Sequence, residues 1–229
     1  MTNNYDPGKR AAGYAAVDRF VRNGTCIGLG TGTTAFYAIE RVAQRIAAGE
    51  QITAVATSTD TERLCSKWRV PVVGLLEREI DVAIDGADEI APDWALIKGG
   101  GGALFREKAV ALCATRFVVI ATPPKLVPAL GSHPLPVETV QFALPYVARE
   151  IASKYPRVTV VRRGGDTPFV TDNGNWILDC HFGEIDKPAL LDTTLKEIHG
   201  VVASGIFAGI VNDVIIGHED GSAHFLERS

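Results

Sequence analysis

The residues best suited to moving protons lie in two stretches, Asp85-Gly86-Ala87-Asp88-Glu89 and Lys98-Gly99-Gly100-Gly101-Gly102-Ala103-Leu104-Phe105-Arg106-Glu107-Lys108. Acids set around a glycine can hydrogen-bond a polyhydroxy ligand or exchange protons with it; alone, they would also serve as a helix cap and a solvated turn. Four glycines in a row lose much backbone entropy on ordering, so a plain linker is a poor use of them. They suit a place where backbone approaches a ligand closely. Lys98 can balance negative charge developing on a substrate oxygen. Glu107 follows early in a helical stretch, where a carboxylate shielded from water can be tuned as a general base. Without Lys98 and the glycine run beside it, Glu107 would read as a surface helix residue.

A third stretch, Gly28-Leu29-Gly30-Thr31-Gly32-Thr33-Thr34, stands between an apolar run and a helical pattern. Its glycines admit an anion close to the backbone, and the helix start offers N–H groups and a partial positive charge. Thr31, Thr33 and Thr34 add hydroxyl donors, so a phosphate fits; a tight turn with a threonine cap is the other reading. The stretch is not a dinucleotide fingerprint. Thr33 replaces the third glycine of G-x-G-x-x-G, and the next strand ends in Thr57-Ser58 where a ribose-binding acid belongs. It also lacks the Gly-Lys-Ser/Thr ending of a phosphate-binding P-loop.

Lys125 follows another apolar strand, at the edge where ligands collect in open α/β sheets, and Lys9 could add a positive group from the first helix; each by itself reads as a solvated lysine. The five histidines show no metal-like spacing and are expected to be structural or exposed. No metal is expected. A net charge of −4 with no long basic stripe argues against a nucleic-acid partner. No run approaches the ~18 apolar residues of a membrane span. Four scattered cysteines without a Cys-x-x-Cys pair, and a polar Met1 to Arg10 containing Pro7, point to a soluble cytoplasmic protein with reduced thiols.

Positioning these groups falls to an alternation of strands and helices over residues 8 to about 130, the pattern of a parallel sheet covered by helices. Helices are expected at Lys9 to Val21, Thr34 to Ala48, Asp60 to Trp68 and about Ala103 to Ala114. Strands are expected at Thr25 to Leu29, Ile52 to Ala56, Val82 to Ile84 and Phe117 to Ala121. From about Ser132 the order becomes β-α-β-β-α-β, with helices at Tyr146 to Tyr155 and Pro188 to Ile198. The expected fold is α/β: a Rossmann-like, mostly parallel domain over 1–131 and 205–229, with a smaller ferredoxin-like (βαββαβ) α+β domain inserted at 132–204.

With these segments in hand, the chain resembles ribose-5-phosphate isomerase of type A nearly end to end. The resemblance rests on Gly28 to Ala35, Asp85 to Glu89, Lys98 to Lys108, Leu135-Pro136-Val137-Glu138, Thr171-Asp172-Asn173-Gly174-Asn175 and Gly200-Val201-Val202, in order and at compatible spacing. It implies interconversion of ribose 5-phosphate and ribulose 5-phosphate in the non-oxidative pentose phosphate pathway, without metal or organic cofactor. It also implies assembly as a homodimer, with a homotetramer as the alternative. Carried over by motif, Glu107 matches the proton acceptor. Thr31, Gly32, Thr33 and Thr34, then Asp85, Gly86, Ala87 and Asp88, then Lys98, Gly99, Gly100 and Gly101, with Lys125, match substrate-binding positions. Lys9 matches a phosphate-side lysine. Thr33 stands where serine is common, Gly101-Gly102 extends a run often ending in alanine, and the segments at 57–60 and 203–205 depart from the family's usual forms. The residue types suggest ring opening through Asp85 and Asp88, proton transfer by Glu107, and an enediolate stabilised by Lys98 and backbone amides. A sugar-phosphate-binding module on the same scaffold and a dehydrogenase are the rival readings.

Overall fold

A computed structural model describes residues 5–227; the N-terminal expectation rests partly on residues 1–4, which lie outside the described residues. In chain order the strands are β1 (Cys26–Leu29), β2 (Thr53–Ala56), β3 (Val82–Asp85), β4 (Glu89–Ile90), β5 (Leu96–Ile97), β6 (Phe117–Ala121), β7 (Leu135–Thr139), β8 (Thr159–Arg162), β9 (Trp176–His181), β10 (Val201–Ser204), β11 (Ile206–Phe207), β12 (Asp213–Gly217) and β13 (Ala223–Phe225). The helices are α1 (Pro7–Phe20), α2 (Ala35–Ala47), α3 (Thr59–Lys67), α4 (Leu104–Cys113), α5 (Leu144–Lys154) and α6 (Pro188–Lys196). Every expected helix forms, each end within two residues of its expected place.

The chain divides into two compact units, the first comprising Met1–Ala87, Arg106–Lys125 and Ile210–Ser229. Its sheet has the order β13-β12-β6-β3-β1-β2, parallel throughout except for β13 at the edge. β1, β3 and β6 are buried at every residue, as strands covered on both faces must be, which is why they read as unbroken apolar runs. From β1 the chain moves outward to β2, then returns to β3 on the other side of β1. That reversal opens a crevice at the carboxyl ends of β1 and β3, the place where such sheets bind ligands. Helix α1 starts on Pro7, with Asp6 as its cap accepting from the Lys9 amide at 2.9 Å. Its buried Ala12, Ala16 and Val17 join Ile27, Leu29, Ile84, Val118 and Ile120 in the core.

The second unit comprises Asp88–Phe105 and Leu126–Gly209. Its antiparallel sheet runs β10-β7-β9-β8, the strand order that a β-α-β-β-α-β chain takes in a ferredoxin-like fold. Val147, Ile151, Leu191 and Leu195 from α5 and α6 pack on Val137, Leu178 and Cys180 of that sheet. A further small sheet, β11-β5-β4, is absent from the sequence expectation, because strands of two residues show no periodicity. Through it, residues 88–105 cluster with the second unit, whereas the sequence reading grouped them with the first: β5 pairs with β11, and Ile97 lies in the second unit's core. The contact boundaries at 125/126 and 209/210 also differ from the expected 131/132 and 204/205.

Among the described residues no helix is long and apolar enough to cross a membrane, and no group of three or more metal-ligating side chains is gathered. All four cysteines are free; Cys26, Cys65 and Cys180 are buried and Cys113 is half-buried. Burial pushes the Cys65 thiol up to about 11 and the Cys180 thiol up to about 12. The folded state thus holds protons that the unfolded chain releases near 9, so this contribution to stability is full below pH 9 and is lost as pH rises towards 11 and 12. At pH 8 an aromatic disulfide reagent is expected to label Cys113 first, and Cys65 and Cys180 only as the chain unfolds. Counting modified residues by mass against denaturant checks this; prompt labelling of Cys65 or Cys180 in the native protein would contradict it.

Candidate active site

At the crevice of the first unit, the carboxylate of Asp85 ends β3 and is 3% exposed. Its Oδ1 accepts from the Gly86 amide at 2.7 Å and from the Thr31 amide at 3.2 Å. Gly30 is what admits it: a Cβ there would lie 1.9 Å from Oδ1. The Gly30 amide in turn donates to Ile84 O at 3.0 Å, so the loop after β1 is stitched to β3 along its first residues. Gly32 then turns the chain at φ +106°, in the left-handed region that favours glycine, and Gly32 and Thr33 are exposed. Helix α2 begins at Ala35, and Thr34 before it makes no side-chain cap hydrogen bond. The threonine-cap alternative therefore does not hold for Thr34; instead the loop's own carbonyls cap the helix start, the Phe36 amide donating to Gly32 O at 3.0 Å and the Tyr37 amide to Thr34 O at 3.1 Å.

The Thr31 hydroxyl has partners within the protein. Its Oγ1 donates to Ser58 Oγ at 2.7 Å; Ser58 Oγ donates to Thr61 Oγ1 at 3.0 Å, and Thr61 Oγ1 donates to Gly30 O at 2.9 Å. Thr57 joins, with its Oγ1 at 2.9 Å from Thr31 and bonded to Leu29 O at 3.0 Å. These hydroxyls hold the loop to the start of α3. Thr57, Ser58 and Thr61 were missed as supports. The signal was present: hydroxyl residues stand at the end of β2, where a dinucleotide site would carry an acid.

Glu107 lies in the first turn of α4 and is 6% exposed. Three residues on, Val110 packs so closely on β1 that a Cβ at Gly28 would come within 2.4 Å of it. Positions i and i+3 share a helix face, so Glu107 is turned inward by the same contact. A buried carboxylate of this kind is shielded from bulk water, as a base acting on carbon requires. Lys125 is half-buried in the 3-10 turn Pro123–Lys125 after β6, at the carboxyl edge as expected. Lys9 holds its ammonium 3.2 Å from Asp6 Oδ2.

In the second unit, Asp88 Oδ2 accepts from the Gly100 amide at 2.7 Å. Half-buried Ala87 precedes Asp88 in the chain. Lys98, 3% exposed, donates its amide to Gly205 O at 2.8 Å and holds its ammonium 5.5 Å from the centroid of the Phe207 ring. Gly99 and Gly102 take φ of +101° and +83°, and the Phe169 ring occupies the space of a side chain at Gly102. Glu89 is committed to structure, accepting from the amides of Gly131 and His133. His133, expected to be structural or exposed, brings its Nε2 to 3.9 Å from Asp88 Oδ2. The structure thus joins Thr31, Asp85 and Gly86 in one hydrogen-bonded group, and Asp88 and Gly100 in another.

Residues 53–221 match the family model for ribose 5-phosphate isomerase A (phosphoriboisomerase A). The chain is 44% identical over 219 residues to ribose-5-phosphate isomerase A of Sphingopyxis alaskensis, covering 95% of each chain. It is 45% identical over 216 residues to that of Bacillus mycoides, covering 93% of this chain and 96% of the relative. Among solved structures, ribose 5-phosphate isomerase A of Methanocaldococcus jannaschii superposes with a TM-score of 0.90 at 37% identity, covering 96% of this chain and 97% of the other. A D-ribose-5-phosphate isomerase in complex with phospho-erythronic acid gives a TM-score of 0.91 at 36% identity over the same shares.

Proposed function

The chain belongs to the ribose 5-phosphate isomerase A family, and on that premise we propose that it interconverts ribose 5-phosphate and ribulose 5-phosphate through an enediolate, with Glu107 as the base. The observation that carries this reading is a buried acid, Asp85, tied by Gly30 and Thr31 to an amide-rich loop at the switch point of the sheet. Such a place suits a phosphorylated polyol. The phosphate sits on the Thr31–Thr34 loop and the first turn of α2, with Lys125 and Lys9 as the basic side chains of this end.

Asp85 and Asp88 carry the protons exchanged when the furanose opens. Glu107 removes the proton from C2, and the electron pair moves so that C1 and C2 become doubly bonded with negative charge on O1. Lys98 and amides of the glycine run stabilise that charge. Glu107 then delivers a proton to C1, either the one it took or one exchanged with water, while the proton of the C2 hydroxyl passes to O1, leaving the ketone at C2. Atoms and charge balance without an electron carrier, and no metal or organic cofactor takes part. The reading extends to a cytoplasmic homodimer, or alternatively a homotetramer, with no nucleic-acid or membrane partner.

The test is to supply ribose 5-phosphate labelled with deuterium at C2 and follow ketose formation with and without a chelator. Equal rates in both arms are expected, with some of the label exchanged into water. Absence of ketose, loss of turnover on chelation, or complete retention of deuterium at C1 as in a hydride shift would overturn the proposal. The neighbour's phospho-erythronic acid is the natural binding probe, since it keeps the phosphate and carries negative oxygens near the reacting end.

A further inference from the structure

Arg163 follows β8 directly and is not among the residues that the family resemblance marks. Its guanidinium is set by Asp179 of β9 through two bonds, Nε to Oδ2 at 3.0 Å and Nη2 to Oδ1 at 2.5 Å. That fork leaves Nη1 aimed at the glycine run, where it donates to Gly99 O at 2.8 Å and Gly100 O at 3.2 Å. The side chains of this pair are only 15% and 22% exposed. From the same loop Phe169, whose amide bonds to Arg163 O at 3.0 Å, lays its ring against Gly102.

A peptide unit is planar and trans, so fixing a carbonyl fixes the following N–H in the opposite direction. With Gly99 O held by Arg163, the Gly100 N–H must point away from it, and it reaches Asp88 Oδ2 at 2.7 Å. With Gly100 O held, the Gly101 N–H is likewise turned away from Arg163. Glycine peptides rotate readily because no Cβ opposes either arrangement. We infer that Arg163, oriented by Asp179, is a positioning residue that locks the Gly99 and Gly100 peptide planes and so aims the Gly101 amide and the Asp88 carboxylate for the isomerisation. This rests on reading the glycine run as part of the ribose 5-phosphate site.

Arg163→Met in the full chain is expected to lower kcat on the order of 100-fold, the cost of misplacing an aligned group, while KM moves less than about threefold. Arg163→Lys should recover under about tenfold of that loss, because an ammonium cannot grip Asp179 and two carbonyls as a planar fork does. Amide hydrogen exchange supplies the readout that a merely structural role would not move. The Gly100 amide should lose protection in Arg163→Met while amides of β7 and β9 keep theirs. Should the single variant unfold around the orphaned Asp179, the double variant Arg163→Met with Asp179→Leu replaces the pair by packed apolar groups. It should fold and still turn over slowly. Parental kcat in either the single or the double variant, or a lost kcat with Gly100 protection unchanged, would overturn the inference. A parent chain that forms no ketose would instead overturn the reading beneath it.

Discussion

Glu107→Gln is expected to fold as the parent does, to bind ribose 5-phosphate with similar affinity, and to lose about 10²–10⁴-fold in kcat, the range a placed base supplies. Glutamine keeps the shape of the side chain, so the inward-facing turn of α4 remains filled and Val110 keeps its seat on β1. What disappears is only the capacity to take a proton. Calorimetric titration with ribose 5-phosphate, urea unfolding midpoints and steady-state rates together separate loss of chemistry from loss of fold. Turnover within tenfold of the parent would remove Glu107 from the role of base.

Gly30→Ala is expected to be nearly as damaging for a different reason. The new methyl would lie 1.9 Å from Asp85 Oδ1, 2.1 Å from its Cγ and 2.6 Å from its Cβ, so rotating the carboxylate cannot clear it. Either Asp85 leaves its place, breaking the bonds from Thr31 and Gly86, or the loop lifts away from β3. Displacement by an ångström or so suffices to lose about 100-fold in kcat/KM, and overpacking of this kind destabilises by roughly 1–3 kcal/mol. Because both changes act on one carboxylate, Gly30→Ala combined with Asp85→Asn should cost far less than the product of the single effects. Strictly multiplicative losses would show that Gly30 acts on something other than Asp85.

Much of this was legible before any coordinates. The parallel sheet announced itself because β1, β3 and β6 are covered on both faces and so read as apolar runs. Asp85 could be placed because it directly follows one of them. The β-α-β-β-α-β order was readable because its strands alternate or sit beside turn residues such as Asp172-Asn173-Gly174. What escaped has a common cause. The strands β4, β5 and β11 are too short to show a period, so the affiliation of residues 88–105 with the second unit was hidden. Thr31 meets Ser58 across 27 positions, and Arg163 meets Gly99 across 64. In the second case the partner is a backbone carbonyl, which every residue possesses and no sequence pattern marks. Glu89 ends the acidic stretch 85–89, and only its acceptance of two distant amides reveals a strut.

The hydroxyl chain from Thr31 through Ser58 and Thr61 back to Gly30 contains no charged member. Mobile ions screen attractions between full charges but have little hold on short, buried bonds between neutral dipoles. With the phosphate on this loop as proposed, raising the ionic strength should therefore loosen the grip on it while the loop keeps its form. The cradle and its occupant answer to different solution conditions.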